Sequence, residues 1–158
     1  MDPSATFKLE KAIWTDADYV QMGWHDAFIH GISFNAGTEP FVSEFLLDID
    51  YIFKWVHPYP PSKHFSFFVS PCTLVFHDVA GLRIDITNGN MMLEIDIADI
   101  HHEPNSNRWR IDLHVGEISF EASGYTQVVR QLPIHHQGQV LPELERGGVS
   151  FSRMPASI

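Results

Sequence analysis

Between Glu44 and Val56 the chain alternates. Phe45, Leu47, Ile49, Tyr51, Phe53 and Trp55 fall on one face of an extended segment, and Glu44, Leu46, Asp48, Asp50, Ile52 and Lys54 on the other. His57-Pro58-Tyr59-Pro60-Pro61 ends this strand, because proline cannot donate to a ladder. The same period of two predicts strands over 24–34, 65–69, 73–77, 82–87, 91–97, 109–115, 118–123 and 125–131. Gly37-Thr38-Glu39-Pro40, Ser70-Pro71, 78–81, Asn88-Gly89-Asn90, 102–107, Gly116 and Gly124 break the runs. Asn88-Gly89 between two alternating runs predicts a hairpin. Short strands at this spacing predict a mainly β fold: an antiparallel curled sheet, a sandwich or a partly open barrel.

One short N-terminal helix precedes the strands. Thr15 can cap it, Asp16 and Asp18 place negative charge in its first turn, Trp14 and Tyr19 can close a hydrophobic staple, and Gly23 stops it. Residues 1–132 read as a single β-rich domain. From Pro133 the prolines, Gly147-Gly148 and scattered apolar residues read as an irregular C-terminal tail, 133–158.

The polar sides of the strands carry the most information. Asp48 and Asp50 share a face, as do Arg83 and Asp85, Glu94 and Asp96, Arg110, Asp112 and His114, and Ser119 and Glu121, each backed by apolar residues. If these strands are neighbours, one sheet face is a field of carboxylates threaded by Arg83, Arg110 and His114. An antiparallel sheet with one wet side needs polar residues there in any case. Asp, however, is a poor strand former, and its excess points to a curled sheet whose polar face lines a groove for a cationic peptide, a basic protein patch or a metal ion.

Charge narrows the partners. The 158 residues hold 20 Asp and Glu against 10 Lys and Arg, a formal charge of −10. That balance repels phosphate backbones and anionic membranes, so neither nucleic acid nor membrane is expected as a partner. No run of 18 apolar residues occurs, residues 1–11 lack a secretory pattern, and Cys72 is a single cysteine, which together point to a cytoplasmic, disulfide-free protein.

Signatures of catalysis are sparse. The chain has no Gly-rich phosphate loop, no Gly-x-Ser-x-Gly and no Cys-x-x-Cys, so no cofactor is expected, and Cys72 reads as a small core residue. His25, Asp26 and His30 are candidate metal ligands, with His101, His102 and Glu103 as nominal additions, but their spacing matches no zinc motif.

At Trp14, Asp18, Met22-Gly23-Trp24-His25-Asp26, Leu47-Asp48-Ile49-Asp50-Tyr51, Pro71-x-Thr73-Leu74-x-Phe76 and Gly116-Glu117-Ile118-Ser119-Phe120, the chain resembles a family of uncharacterised bacterial proteins. The matches span roughly residues 14 to 130, and the resemblance implies a bacterial, cytoplasmic, single-domain protein without supplying a site. In size, charge and β pattern the chain is also similar to small acidic immunity proteins of toxin systems. The residues thus point to a non-enzymatic binding module with an acidic sheet face. The alternatives are a metal-dependent hydrolase around His25, Asp26 and His30, or a small-ligand β-barrel.

Overall fold

The computed structural model describes residues 1–37, 42–89 and 91–158. The Gly37-Thr38-Glu39-Pro40 break, apart from Gly37, and the last residue of Asn88-Gly89-Asn90 lie outside the described residues. The elements are β1 (Ile13–Thr15), a 3-10 helix (Asp16–Gln21), β2 (Phe28–Asn35), β3 (Glu44–Val56), β4 (Ser66–His77), β5 (Ala80–Ile86), β6 (Ile97–His102), β7 (Arg108–Leu113), β8 (Gly116–Glu121), β9 (Gly124–Val129), β10 (Ile134–His136) and α1 (Glu143–Arg146). The chain is mainly β, as its periodicity predicts, and its antiparallel sheets do not close into a barrel.

The first sheet has the order β1-β9-β4-β3-β2, with β10 added beside β4, and the second has the order β5-β8-β7-β6. They face each other across one core. Phe45, Leu47, Ile49, Cys72, Leu74, Phe76, Tyr125 and Val129 come from the first sheet, and Ile97, Ile100, Trp109, Ile111, Ile118 and Phe120 from the second. Phe76 meets Phe120 at 4.6 Å and Trp109 at 5.6 Å between ring centroids, in the edge-to-face geometry aromatic quadrupoles favour. The sheets also join along one margin. Asp26 and Ile29 donate backbone N–H to Ile97 and Ile95, each at 2.8 Å, and Ile97 returns one to Ala27 at 2.8 Å.

Several expectations shift in informative ways. The 24–34 run starts its strand only at Phe28, because Trp24 to Ala27 form a turn closed by Ala27 N–H donating to Trp24 O at 2.9 Å. Ser70-Pro71 does not break the chain. Pro71 lies inside β4, where the neighbour on one side changes from β9 to β10. A strand residue's N–H and C=O point to the same side, and the Pro71 carbonyl accepts from Arg130 N–H at 3.0 Å. The missing proline donor therefore falls at that changeover, where no ladder needs it. The 91–97 strand starts only at Ile97, and β6 continues through His102, with a register shift between Ile97 and Asp99 that spoils the period of two. β5 and β6 are opposite edges of their sheet, so the Asn88-Gly89 segment joins no paired strands.

The N-terminal helix is present as a 3-10 turn. Thr15 Oγ1 accepts from Ala17 N–H at 3.3 Å, and Asp18 accepts from Thr15 N–H at 2.9 Å. The rings of Trp14 and Tyr19 go to different partners, Phe53 for the former and Trp24 and Trp109 for the latter.

The largest difference concerns residues 133–158. They form β10, which joins the first sheet beside β4, and α1, and 141–152 lie over the outer face of that sheet, so that β3 and β4 are buried on both faces along most of their length. Leu141 packs with Ile52, Phe67 and Val69, and Thr73 donates its hydroxyl to Ser152 O at 2.7 Å. Gly31 is necessary for this cover: a Cβ there would approach Val149 Cγ1 to 2.9 Å and the Phe151 ring to 3.0 Å.

Candidate functional site

The sequence groups Asp48 and Asp50 with the wet carboxylates, and the structure separates them. Both are fully buried on the covered face of β3. Arg146, from α1, donates to Asp48 through Nη2 at 2.6 Å and Nη1 at 2.9 Å, to Asp50 through Nε at 3.1 Å, and to Gly148 O. Arg130 donates to Asp48 at 2.9 Å, and the backbone N–H groups of Ser150 and Leu141 reach Asp48 and Asp50 at 2.9 and 2.8 Å. Two carboxylates and two guanidinium groups cancel, as buried charges must. Burial raises the Asp48 pKa, but the hydrogen bonds from Arg146 and Ser150 outweigh it and hold the carboxyl below its usual range. His30 is skipped by the β2–β3 register and meets Asp50 at 2.7 Å, so it belongs to this structural cluster rather than to a metal site with Asp26.

The second sheet keeps the predicted wet face. On β7, Trp109, Ile111 and Leu113 are buried, while Arg110 is exposed and Asp112 half-buried; β8 likewise buries Ile118 and Phe120 and turns Glu117, Ser119 and Glu121 outward. The strand register organises these groups into two rows across the strands. One runs Arg83, Ser119, Arg110, His101, and the other Asp85, Glu117, Asp112, Asp99. Arg110 Nε donates to Asp112 at 2.8 Å, and His101 Nε2 lies 2.8 Å from the other oxygen of Asp112. Arg83 reaches Asp85 only at 3.9 Å, between two well-exposed side chains. Such exposed pairs contribute at most about 1 kcal/mol, whereas like charges directly opposite one another are destabilising.

Asp99, His101 and Glu117 are members of this face that the sequence reading does not assign to it. The β6 bulge hides the first two, and the glycine before Glu117 reads as a turn. Glu94 is exposed but lies before β6, outside any strand, so it does not extend the rows.

Asp96 and His114 belong to a third group. With Asp26 they each place one ligand-type atom within 4.8 Å of the others. His114 Nε2 is 3.3 Å from Asp26 Oδ1 and 3.7 Å from Asp96 Oδ2. His25 Nε2 is 3.5 Å from Asp26 Oδ2, and Gln139 donates to the same oxygen at 3.0 Å. The Trp24–Ala27 turn holds His25 and Asp26 in place. Trp24 is buried and donates its indole N–H to Gln127 at 2.8 Å, and Asp26 takes a left-handed backbone, φ 64°, which Asp tolerates better than most residues. His101, His102 and Glu103 do not join this group: His101 pairs with Asp112, and His102 stacks on Trp109 with ring centroids 4.2 Å apart.

Cys72 is fully buried and its thiol is pushed up by burial, which suits a core residue and not a nucleophile. Among the aromatics near the proline loop, Trp55 and Tyr59 are exposed and Phe68 is buried, stacked on His135 at 4.5 Å. Family models, characterised proteins and solved structures compared with this chain give no match, so its chemistry is read from these three groups of residues.

Proposed function

We propose that the protein is a binding module whose second sheet presents its wet face to a basic protein or peptide. The observation that carries this reading is the strand register, which aligns Asp85, Glu117, Asp112 and Asp99 in one row. At the usual strand separation the row spans about 14 Å. An extended segment with Lys or Arg at alternate positions repeats at about 6.7 Å, so two or three cations match its length. The formal charge of −10 steers such a partner towards the protein, and the likeness to acidic immunity proteins favours a protein partner.

The reading is tested by titrating a labelled twelve-residue peptide of alternating Lys and Ala into the protein at low and moderate salt. Combined Asp85→Asn, Asp99→Asn and Glu117→Gln changes are expected to weaken binding about tenfold at low salt, from contributions of about 0.2–1 kcal/mol each. The difference should shrink as salt shortens the screening length to about 8 Å. A control with Glu10→Gln, Glu143→Gln and Glu145→Gln removes the same charge elsewhere. Equal weakening by both sets means that net charge alone attracts the peptide and the face is irrelevant.

A further inference from the structure

We infer that Asp26, Asp96 and His114, with His25 as a fourth ligand, form a binding site for a divalent first-row transition-metal ion at the margin where the two sheets join. The donor set is mixed, an imidazole and two carboxylates with atoms within 4.8 Å of one another, which suits such an ion better than the all-oxygen sets of calcium and magnesium. Its two carboxylates balance a 2+ charge. The pairings recorded for Asp26 and Asp96 are to His25, His114 and Gln139, with no Lys or Arg partner among the described residues.

A second observation comes from His25. Its Nδ1 is 3.1 Å from the backbone carbonyl of Ala98, and a carbonyl can only accept, so Nδ1 carries the proton. Its Nε2 faces the cluster, 3.5 Å from Asp26 Oδ2. Anchoring one ring nitrogen to a backbone carbonyl while the other faces the ligand position is the arrangement that orients metal-bound histidines. The turn carrying His25 and Asp26 is fixed by the buried Trp24. Asp96 and His114 are tied together through His114 N–H donating to Asp96 O at 3.2 Å. The four residues are thus held by backbone structure, whereas His25 and His114 are open to solvent, with side chains 64% and 45% exposed, leaving a path for the ion and room for water as a further ligand.

The test is calorimetric titration of Zn²⁺ into the chelator-washed 158-residue chain, repeated with His114→Ala, Asp96→Asn and, as a control histidine outside the cluster, His101→Ala. One equivalent is expected to bind, with affinity reduced at least about 100-fold by His114→Ala and by Asp96→Asn and unchanged by His101→Ala. Thermal melts of each variant establish that it is folded. The wild type gives a second readout that needs no variant: at one equivalent of Zn²⁺ the ring resonances of His25 and His114 should shift before those of the other histidines. Absence of one-equivalent binding, binding that survives His114→Ala and Asp96→Asn, or first shifts at other histidines would each overturn the assignment.

Discussion

Replacing Arg146 with Met removes one of the two guanidinium groups that neutralise Asp48 and Asp50 while keeping an apolar stem of similar length. The side chain is almost wholly buried and makes three charge-assisted hydrogen bonds to the two carboxylates, at 2.6, 2.9 and 3.1 Å. In the variant, Asp48 retains Arg130 and the Ser150 N–H, and Asp50 retains His30 and the Leu141 N–H, so one buried negative charge is left without its counterion. Breaking a buried pair in this way costs about 3–5 kcal/mol. For a chain of this length that lowers Tm by about 6–20 °C. The assay is urea and thermal unfolding of Arg146→Met, Asp48→Asn and the double variant. The account expects non-additivity: once Asp48 is neutral, removing Arg146 should cost less than in the wild type, with a coupling of about 0.5–3 kcal/mol. A loss below about 1 kcal/mol for Arg146→Met, or strict additivity, would refute the picture of 133–158 as an integral cover clamped by buried charge.

Glu44 supplies an acid-sensitive counterpart. The hydrogen bonds from Arg153 and Asn35 outweigh burial and hold its pKa at about 2, below the model-peptide value. A depressed folded-state pKa means that stability is fully present above the unfolded value of about 4.3 and is lost as pH falls towards 2. Glu44→Gln should therefore flatten part of the acid-induced loss in that window, seen by urea midpoints at stepped pH. Cys72 is fully buried with its thiol pushed up, so a thiol reagent should label it at the rate of global unfolding, and rapid labelling of the native protein would contradict its placement.

Much of this architecture is legible in the residues. The β3 bounds follow from thirteen alternating positions ended by prolines, and the wet and dry faces of β7 and β8 follow from the same period. What escapes is what period cannot encode. Pro71 reads as a break because the change of neighbour that tolerates it is a long-range fact. β6 is hidden because its bulge spaces Ile97 and Ile100 three apart.

The misplacement of Asp48 and Asp50 has a clearer lesson. Leu46 and Ile52 share their face and flank the two aspartates, as in a strand whose middle is buried on both sides. Carboxylates inside such a strand need cationic partners, and Arg130 and Arg146 supply them from segments about 80 and 100 residues further along the chain. In the Asp26, Asp96 and His114 cluster, Asp26 stands 70 residues before Asp96 and 88 before His114, so spacing alone does not assemble it.

Binding of basic chains to the second sheet's wet face can be mapped residue by residue. The measurement to make is amide chemical-shift mapping of the 158-residue chain as the alternating Lys-Ala peptide is added at low salt. The account predicts perturbations concentrated at Asp85, Asp99, Asp112, Glu117 and their strand neighbours, fading as salt is raised. Perturbations centred on the 133–158 cover or spread evenly over the surface, or none at saturating peptide, would contradict it.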